Sequence, residues 1–210
     1  MTILKWMLLG LAVILLFVAM IPIVVTQIEN KQAKENAQQL TLSNEYNKPN
    51  NNVAVIVFSR SGNTAVLAQH LAEQENGDFY RLEAKEYKLG LKGWTKALQD
   101  ARGNKADIAP QTIDLSKYNR IYLGSPIWLY SPAPPIWQFV ENNKFDGKEV
   151  ILFNSFNSKF EQLYIDEFEE LVKSKGAISF NHRYIKRGRM GQQISTEVMI
   201  EKFDQQSLEP

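Results

Sequence analysis

Polar and apolar positions divide the chain into three stretches. From Trp6 to Val25, twenty residues carry no charge, are rich in Leu, Ile and Val, and are interrupted only by Gly10 and Pro22. As a helix this run is about 30 Å long, the thickness of a bilayer's hydrocarbon core. A cleaved signal peptide has a shorter apolar core, about 7–15 residues, that ends at small residues. Ala19-Met20-Ile21 offers no such site. The pattern therefore predicts a retained anchor over residues 1–26, a single transmembrane helix. A polar linker follows over residues 27–52, dominated by Gln, Asn, Lys and Glu, with Pro49 near its end. Its first half can extend the helix; as pure coil the linker reaches roughly 30 Å by random-walk scaling. Either form is expected to stand the next segment off the membrane.

From residue 53 two periods alternate. Val53–Phe58 is a short continuous apolar run, as in a strand buried on both faces. Ala65, Leu67, Ala68, Leu71 and Ala72 then recur at helical spacing. Further strands are expected over 79–82, 120–123, 149–153 and 177–180, and helices over 89–101, 135–140, 160–173 and 194–203. Gly90 and Gly93 weaken the helical pattern of 89–101. Strand–helix alternation needs crossover connections, hence parallel strands covered on both sides. The expected fold of residues 53–210 is α/β, a three-layer sandwich around a five-stranded parallel sheet, preceded by the one transmembrane helix. Such sheets bind ligands beyond the carboxyl ends of their strands. The loops after Phe58, Leu123 and Phe153 are therefore where chemistry is expected.

Composition removes several classes. The 210 residues are 44% hydrophobic and 22% charged, a globular balance. A net charge of +1 gives no electrostatic footprint for nucleic acid, so none is expected as a partner. Cysteine is absent, which excludes disulfides, thiolate metal sites and thiol nucleophiles. Lys5 flanks the anchor on one side and Lys31 and Lys34 on the other, so the balance of flanking positive charge does not decide its orientation.

The first loop, Ser59-Arg60-Ser61-Gly62-Asn63-Thr64, leads from a buried strand into a helix. Backbone N–H groups at a helix N-terminus favour an anion. Gly62 permits a positive φ and a close approach, and Ser59, Ser61, Asn63 and Thr64 add donors. These groups suit a terminal phosphate with several oxygens to satisfy. The simpler reading is that Ser and Asn merely cap the helix. A P-loop would need Lys after its second glycine, and a dinucleotide fold needs three glycines where this loop has one. A hydrolase elbow needs glycine at the position of Ser59.

With this loop, the stretch YLGSPIWLYSPAPPIWQFVENNKFDGKEVILFNSFNS resembles, in order and spacing, the flavin loops of the flavodoxin family. The resemblance implies a flavodoxin-like fold and FMN as cofactor, its phosphate held by Ser59 to Thr64 without a metal. It also implies that Ser125, Pro126, Ile127, Trp128, Leu129 and Tyr130 run beneath the flavin ring. Trp128 and Tyr130 are then the candidates for an aromatic wall, while Trp137 is expected in the core. Asn154, Ser155, Phe156 and Asn157 would meet the ring's pyrimidine edge or the ribityl hydroxyls. Flavodoxin relatives often carry glycines at this third loop, and this chain has none between Gly147 and Gly176.

Soluble flavodoxin shuttles are also strongly acidic, whereas here 23 acidic and 23 basic residues follow Val25, so charge steering is absent. His182, Arg183, Lys186, Arg187 and Arg189 form a basic cluster, read as a solvated loop, a contact with anionic headgroups, or a pocket for a nicotinamide cofactor's phosphate. Asp166, Glu167, Glu169 and Glu170 read as one helix's solvent face, and His70 is expected to face water.

The expected function is that of a membrane-anchored FMN protein in electron transfer, or in FMN-dependent reduction of a membrane-associated partner such as a quinone. A redox protein or a nicotinamide cofactor is the other candidate partner. No metal and no catalytic acid or base is nominated. The alternative is a flavin-free module of the same shape, anchored as a scaffold in an envelope complex. FMN is made in the cytosol, so the domain is expected on the cytoplasmic side of the membrane.

Overall fold

A computed structural model of the chain describes residues 2–42, 52–189 and 191–205. The strand β1 (Val53–Phe58) shows why an unbroken apolar run was needed. Ala54, Ile56 and Phe58 enter one buried cluster while Val55 and Val57 enter another on the opposite face. With β2 (Asp78–Leu82), β3 (Arg120–Trp128), β5 (Glu149–Phe156) and β6 (Ser179–Lys186) it forms a parallel sheet in the order β2-β1-β3-β5-β6. This is the five-stranded sheet expected, with one addition: the two-residue β4 (Ser131–Pro132) folds back antiparallel on β3.

Helices cover both faces. α2 (Asn63–Gln74) and α6 (Thr196–Gln205) bury Leu67, Leu71, Met199 and Phe203 against Val55 and Val57. α4 (Pro134–Asn142) and α5 (Gln162–Ser174) bury Ile136, Phe139, Phe168 and Val172 on the other side. At about 25 cal/mol per Å² of apolar surface, these two layers are the main drive to fold. The short helix α3 (Leu91–Asp100) starts later than its pattern predicted, after Gly90. Gly93 is there for space, since a Cβ would lie 1.8 Å from the Lys88 carbonyl oxygen.

Three strands run beyond their apolar runs. β3 and β5 stay paired through Pro126↔Ser155, so much of the second and third expected loops is strand tip. β6 begins two residues late and extends to Lys186 along the sheet edge. His182, Arg183 and Lys186 of the basic cluster are thereby on a strand rather than in a solvated loop, while Arg189, beyond it, stays exposed. Arg183 lies over the Phe203 ring and donates to the Phe203 carbonyl oxygen at 2.9 Å, and Arg187 is buried. His70, expected in water, is half-buried between α2 and α6, with Nε2 2.9 Å from Asp204.

The largest departure is at the N-terminal side. α1 (Thr2–Leu42) is one helix, and its exposed first half is long and apolar enough to cross a membrane. Its second half is not a free tether. Val25, Ile28, Glu29, Gln32, Asn36 and Leu40 form a stripe turned toward the domain, and Asn36 is buried. The contacts are chiefly hydrogen bonds rather than apolar area, so hydropathy gave no sign of them. α1 runs parallel to α2: Gln39 shares a small cavity with Val66 and His70, and Asn36 meets the loop that opens α2. Toward lower numbers it leaves the domain past the carboxyl edge of the sheet. The rest of the expected linker, 43–51 with Pro49, lies outside the described residues.

Candidate functional site

The loop after β1 is built around a left-handed turn. Gly62 has φ +86° and precedes the first residue of α2, and being glycine it offers no side chain to cap the helix itself. One first-turn N–H is met from outside the N-cap position, by Ser59, so capping accounts for that serine but not for Ser61 and Asn63. The close approach at Gly62 is made by α1: a Cβ would lie 2.8 Å from Asn36 Cβ. Asn36 Nδ2 donates to the Ser61 carbonyl oxygen at 2.9 Å and to Asn63 Oδ1 at 2.8 Å. Asn63 Nδ2 donates to Gln32 Oε1 and Ser61 Oγ. Ser59 Oγ accepts from the Thr64 N–H, and the Thr64 and Ser155 hydroxyls lie 2.8 Å apart, tying the loop to the tip of β5.

Arg60 turns sideways. Its Nε donates to the Tyr87 carbonyl oxygen and Nη2 to that of Gly90, while Nη1 pairs with Glu29 of α1. Burial pushes the Glu29 carboxyl up from its ordinary value, against the pull of Arg60.

The second segment ends in a hairpin of unusual chemistry. Leu129 (φ +41°) and Tyr130 (φ +80°) join β3 to β4 through two consecutive positive-φ residues. Such turns favour Asn-Gly, and a left-handed bulky residue costs roughly 1–2 kcal/mol. Strain of this kind collects where a protein must present side chains. What it presents here is Tyr130 beside Trp128. The Trp128 ring is held edge-on by Phe58 at 5.6 Å and by Tyr87 at 5.2 Å, and Lys159 Nζ sits 5.0 Å above the Tyr130 ring. Trp137 is buried as expected, its Nε1 donating to the Pro132 carbonyl oxygen.

These parts enclose a cavity of about 310 Å³ at the carboxyl edge of the sheet, within the size range of small-ligand clefts. Of the residues expected in the site, Ser59, Arg60, Ser61, Asn63, Thr64, Pro126, Ile127, Trp128, Leu129, Tyr130, Ser155, Phe156 and Asn157 line it. Gly62, Ser125 and Asn154 do not. Ser125 Oγ accepts from the Ala133 N–H and so fixes the start of α4. Glu29, Gln32, Trp94, Ala97, Leu98, Ser158, Lys159, Arg187 and Gln193, not among the site residues expected from sequence, complete the walls. Two of them gave a signal in the sequence: Trp94, inside the helix expected over 89–101, and Arg187, in the basic cluster.

Asn154 belongs instead to a buried clamp across three strands. Its Nδ2 donates to the Ser125 carbonyl oxygen at 2.7 Å, so its Oδ1 faces His182, whose Nε2–H donates to it at 2.8 Å. Burial lowers the His182 pKa to about 4. The unfolded chain, with an ordinary histidine near 6.5, binds more protons between those values. Stability is therefore full above about pH 6.5 and falls as pH drops toward 4, by on the order of 2 kcal/mol. Urea denaturation of the full chain from pH 7 to pH 4.5 is expected to show that decline, and His182→Gln is expected to flatten it.

The flavodoxin family model matches residues 52–196. No curated protein matches the chain. Among solved structures, a candidate flavoprotein from Bacteroides uniformis is 21% identical with a TM-score of 0.54, covering 74% of this chain and 99% of that one. A flavoprotein from Lactobacillus acidophilus, solved in complex with FMN, is 22% identical with a TM-score of 0.50, covering 63% and 93%. At such identities the structures speak for the fold. The family match spans well over half of the chain and takes in every strand of the sheet, and on that ground the chain belongs to the flavodoxin family.

Proposed function

We propose that this protein binds FMN in the carboxyl-edge cavity and passes electrons between it and a partner held in or at a membrane, such as a quinone. The residues present fit the cofactor. Hydroxyls of Ser59, Ser61 and Thr64 surround a helix N-terminus suited to the phosphate, and Trp128, Tyr130 and Trp94 supply an apolar wall for a flat ring. Bound FMN supplies the redox chemistry; the protein holds the ring, orients it and limits access to it.

The observation that carries the membrane half is the course of α1. It crosses the phosphate loop at Asn36, pairs with Arg60 through Glu29, and continues past the carboxyl edge into its apolar run. From Glu29 to Val25, the last residue of that run, is four residues, about 6 Å of helix. An anchor in this geometry sets the cavity at headgroup depth, facing the bilayer. Leu91, Leu98 and Leu129 stay exposed on the same side of the domain, Leu98 and Leu129 at the mouth of the cavity. A partner dissolved in lipid meets such an edge at high effective concentration. We place the domain on the cytoplasmic side, where FMN is available for loading.

The test uses full-length protein loaded with FMN in lipid nanodiscs, photoreduced under anaerobic conditions. Reoxidation is expected at least tenfold faster when the discs contain a long-chain quinone than when they do not. A colourless protein that takes up no added FMN overturns the cofactor half. A loaded protein that stays reduced beside the quinone overturns the partner half.

A further inference from the structure

Arg187 is 6% exposed, and its Nε and Nη1 have no hydrogen-bond partner among the described residues. Only Nη2 is engaged, donating weakly to the Ile194 carbonyl oxygen at 3.3 Å. A buried cation without a counter-charge is costly, and proteins pair such groups or use them on a ligand. Among the described residues no carboxylate pairs with this one. Glu29, the acid lining the same cavity, is paired with Arg60 instead. Burial alone acts on the guanidinium, drawing it below the ordinary arginine range with no acid opposing.

The placement is built rather than incidental. Arg187 follows β6 directly, and its N–H donates to the Phe156 carbonyl oxygen at 2.8 Å, which seats it beside the tip of β5. Ile194 N–H donates back to the Arg187 carbonyl oxygen, closing the loop between them. Gln193 in that loop bonds both Gln32 of α1 and Asn157. Arg187 thus lines the cavity together with Thr64 and Ser155, the pair that joins the phosphate loop to the strand tip.

We propose that Arg187 is the counter-charge for the ligand's phosphate monoester, a cation added beside a loop whose own arginine, Arg60, is taken up by Glu29 and by the Tyr87 and Gly90 carbonyl oxygens. This deepens the proposed FMN reading and rests on it for the identity of the ligand. A guanidinium in the wall of the cavity that also holds the phosphate loop supplies the positive charge that a monoester needs.

The experiment compares FMN with riboflavin, which lacks the phosphate, on the full chain in detergent, by flavin fluorescence titration and thermal unfolding. Arg187→Gln is expected to weaken FMN binding by about 10- to 100-fold, as for charge-assisted hydrogen bonds, and to leave riboflavin within about twofold. Arg187→Lys, which keeps the charge as a compact ammonium, is expected to fall between. Without ligand, Arg187→Gln is expected to melt at or above the wild-type temperature, because an uncompensated buried charge is removed. Equal losses for FMN and riboflavin, no loss for either, or a lower melting temperature of the ligand-free variant overturns the proposal. Should the wild type take up no flavin, inorganic phosphate is the probe. A rise in melting temperature with phosphate in the wild type, absent in Arg187→Gln, supports the assignment; no rise overturns it.

Discussion

Ser61→Asp is expected to lower FMN affinity about a thousandfold while leaving the protein folded. Ser61 lines the cavity, and among the described residues its hydroxyl accepts from Asn63 Nδ2, a bond that an aspartate oxygen can also accept. The backbone of the loop is held independently, by Asn36 on the Ser61 carbonyl oxygen and by Ser59 on the Thr64 N–H. What changes is charge. A new carboxylate about 4 Å from a phosphate costs roughly 4 kcal/mol per unit of phosphate charge at an effective dielectric constant of 20. At 1.4 kcal/mol per decade that is close to three decades for one charge alone. Riboflavin should lose far less. Fluorescence titration with both ligands, beside a far-ultraviolet circular dichroism melt, separates the two effects. FMN uptake at wild-type affinity in a folded Ser61→Asp protein would remove the phosphate loop from the binding site.

Asn154→Ala is expected to do the opposite, destabilising the protein and sparing the affinity of what remains folded. The side chain is fully buried and outside the cavity. Truncation strands the Ser125 carbonyl oxygen and the His182 Nε2–H, each worth about 1–3 kcal/mol when left unpaired away from water. A loss of about 3 kcal/mol lowers the melting temperature by roughly 10 °C for a domain of this size. FMN affinity should stay within about threefold. An unchanged melting temperature with lost FMN binding would return Asn154 to the ligand.

These two residues mark where the sequence was legible. Ser61 lies in a loop whose meaning is local: an apolar run ends, small polar residues follow, and a helical pattern begins within a few positions. Asn154 also follows an apolar run, and by the same logic reads as a loop residue that meets a ligand. The ladder pairing Asn154 with Ser125 and Tyr184 makes it interior instead. Side chains at strand tips are polar in either case, so composition cannot separate a ligand contact from a clamp.

The α1 stripe failed to show for a related reason. Glu29, Gln32 and Asn36 recur at helical spacing, but as polar residues in a polar segment they look like a solvated face. Their partners, Arg60, Asn63 and the Ser61 carbonyl oxygen, lie some 25–31 residues away. Arg187 was visible only as one of a basic cluster. The edge strand leaves Lys186 exposed, while Arg187, just past its end, is turned inward by backbone bonds to Phe156 and Ile194.

By itself the sequence determined the kinds of element, their order, the parallel sheet, the apolar helix and the polar glycine turn between the first strand of the sheet and its helix. Each of these follows from residue spacing along the chain, through the helical period, the strand period and the turn chemistry of glycine. Only the tertiary structure decided which polar groups are satisfied within the protein and which are left for a ligand. That choice depends on geometry between residues far apart in the chain, where a hydrogen bond forms or fails within a fraction of an ångström, and no local pattern encodes it.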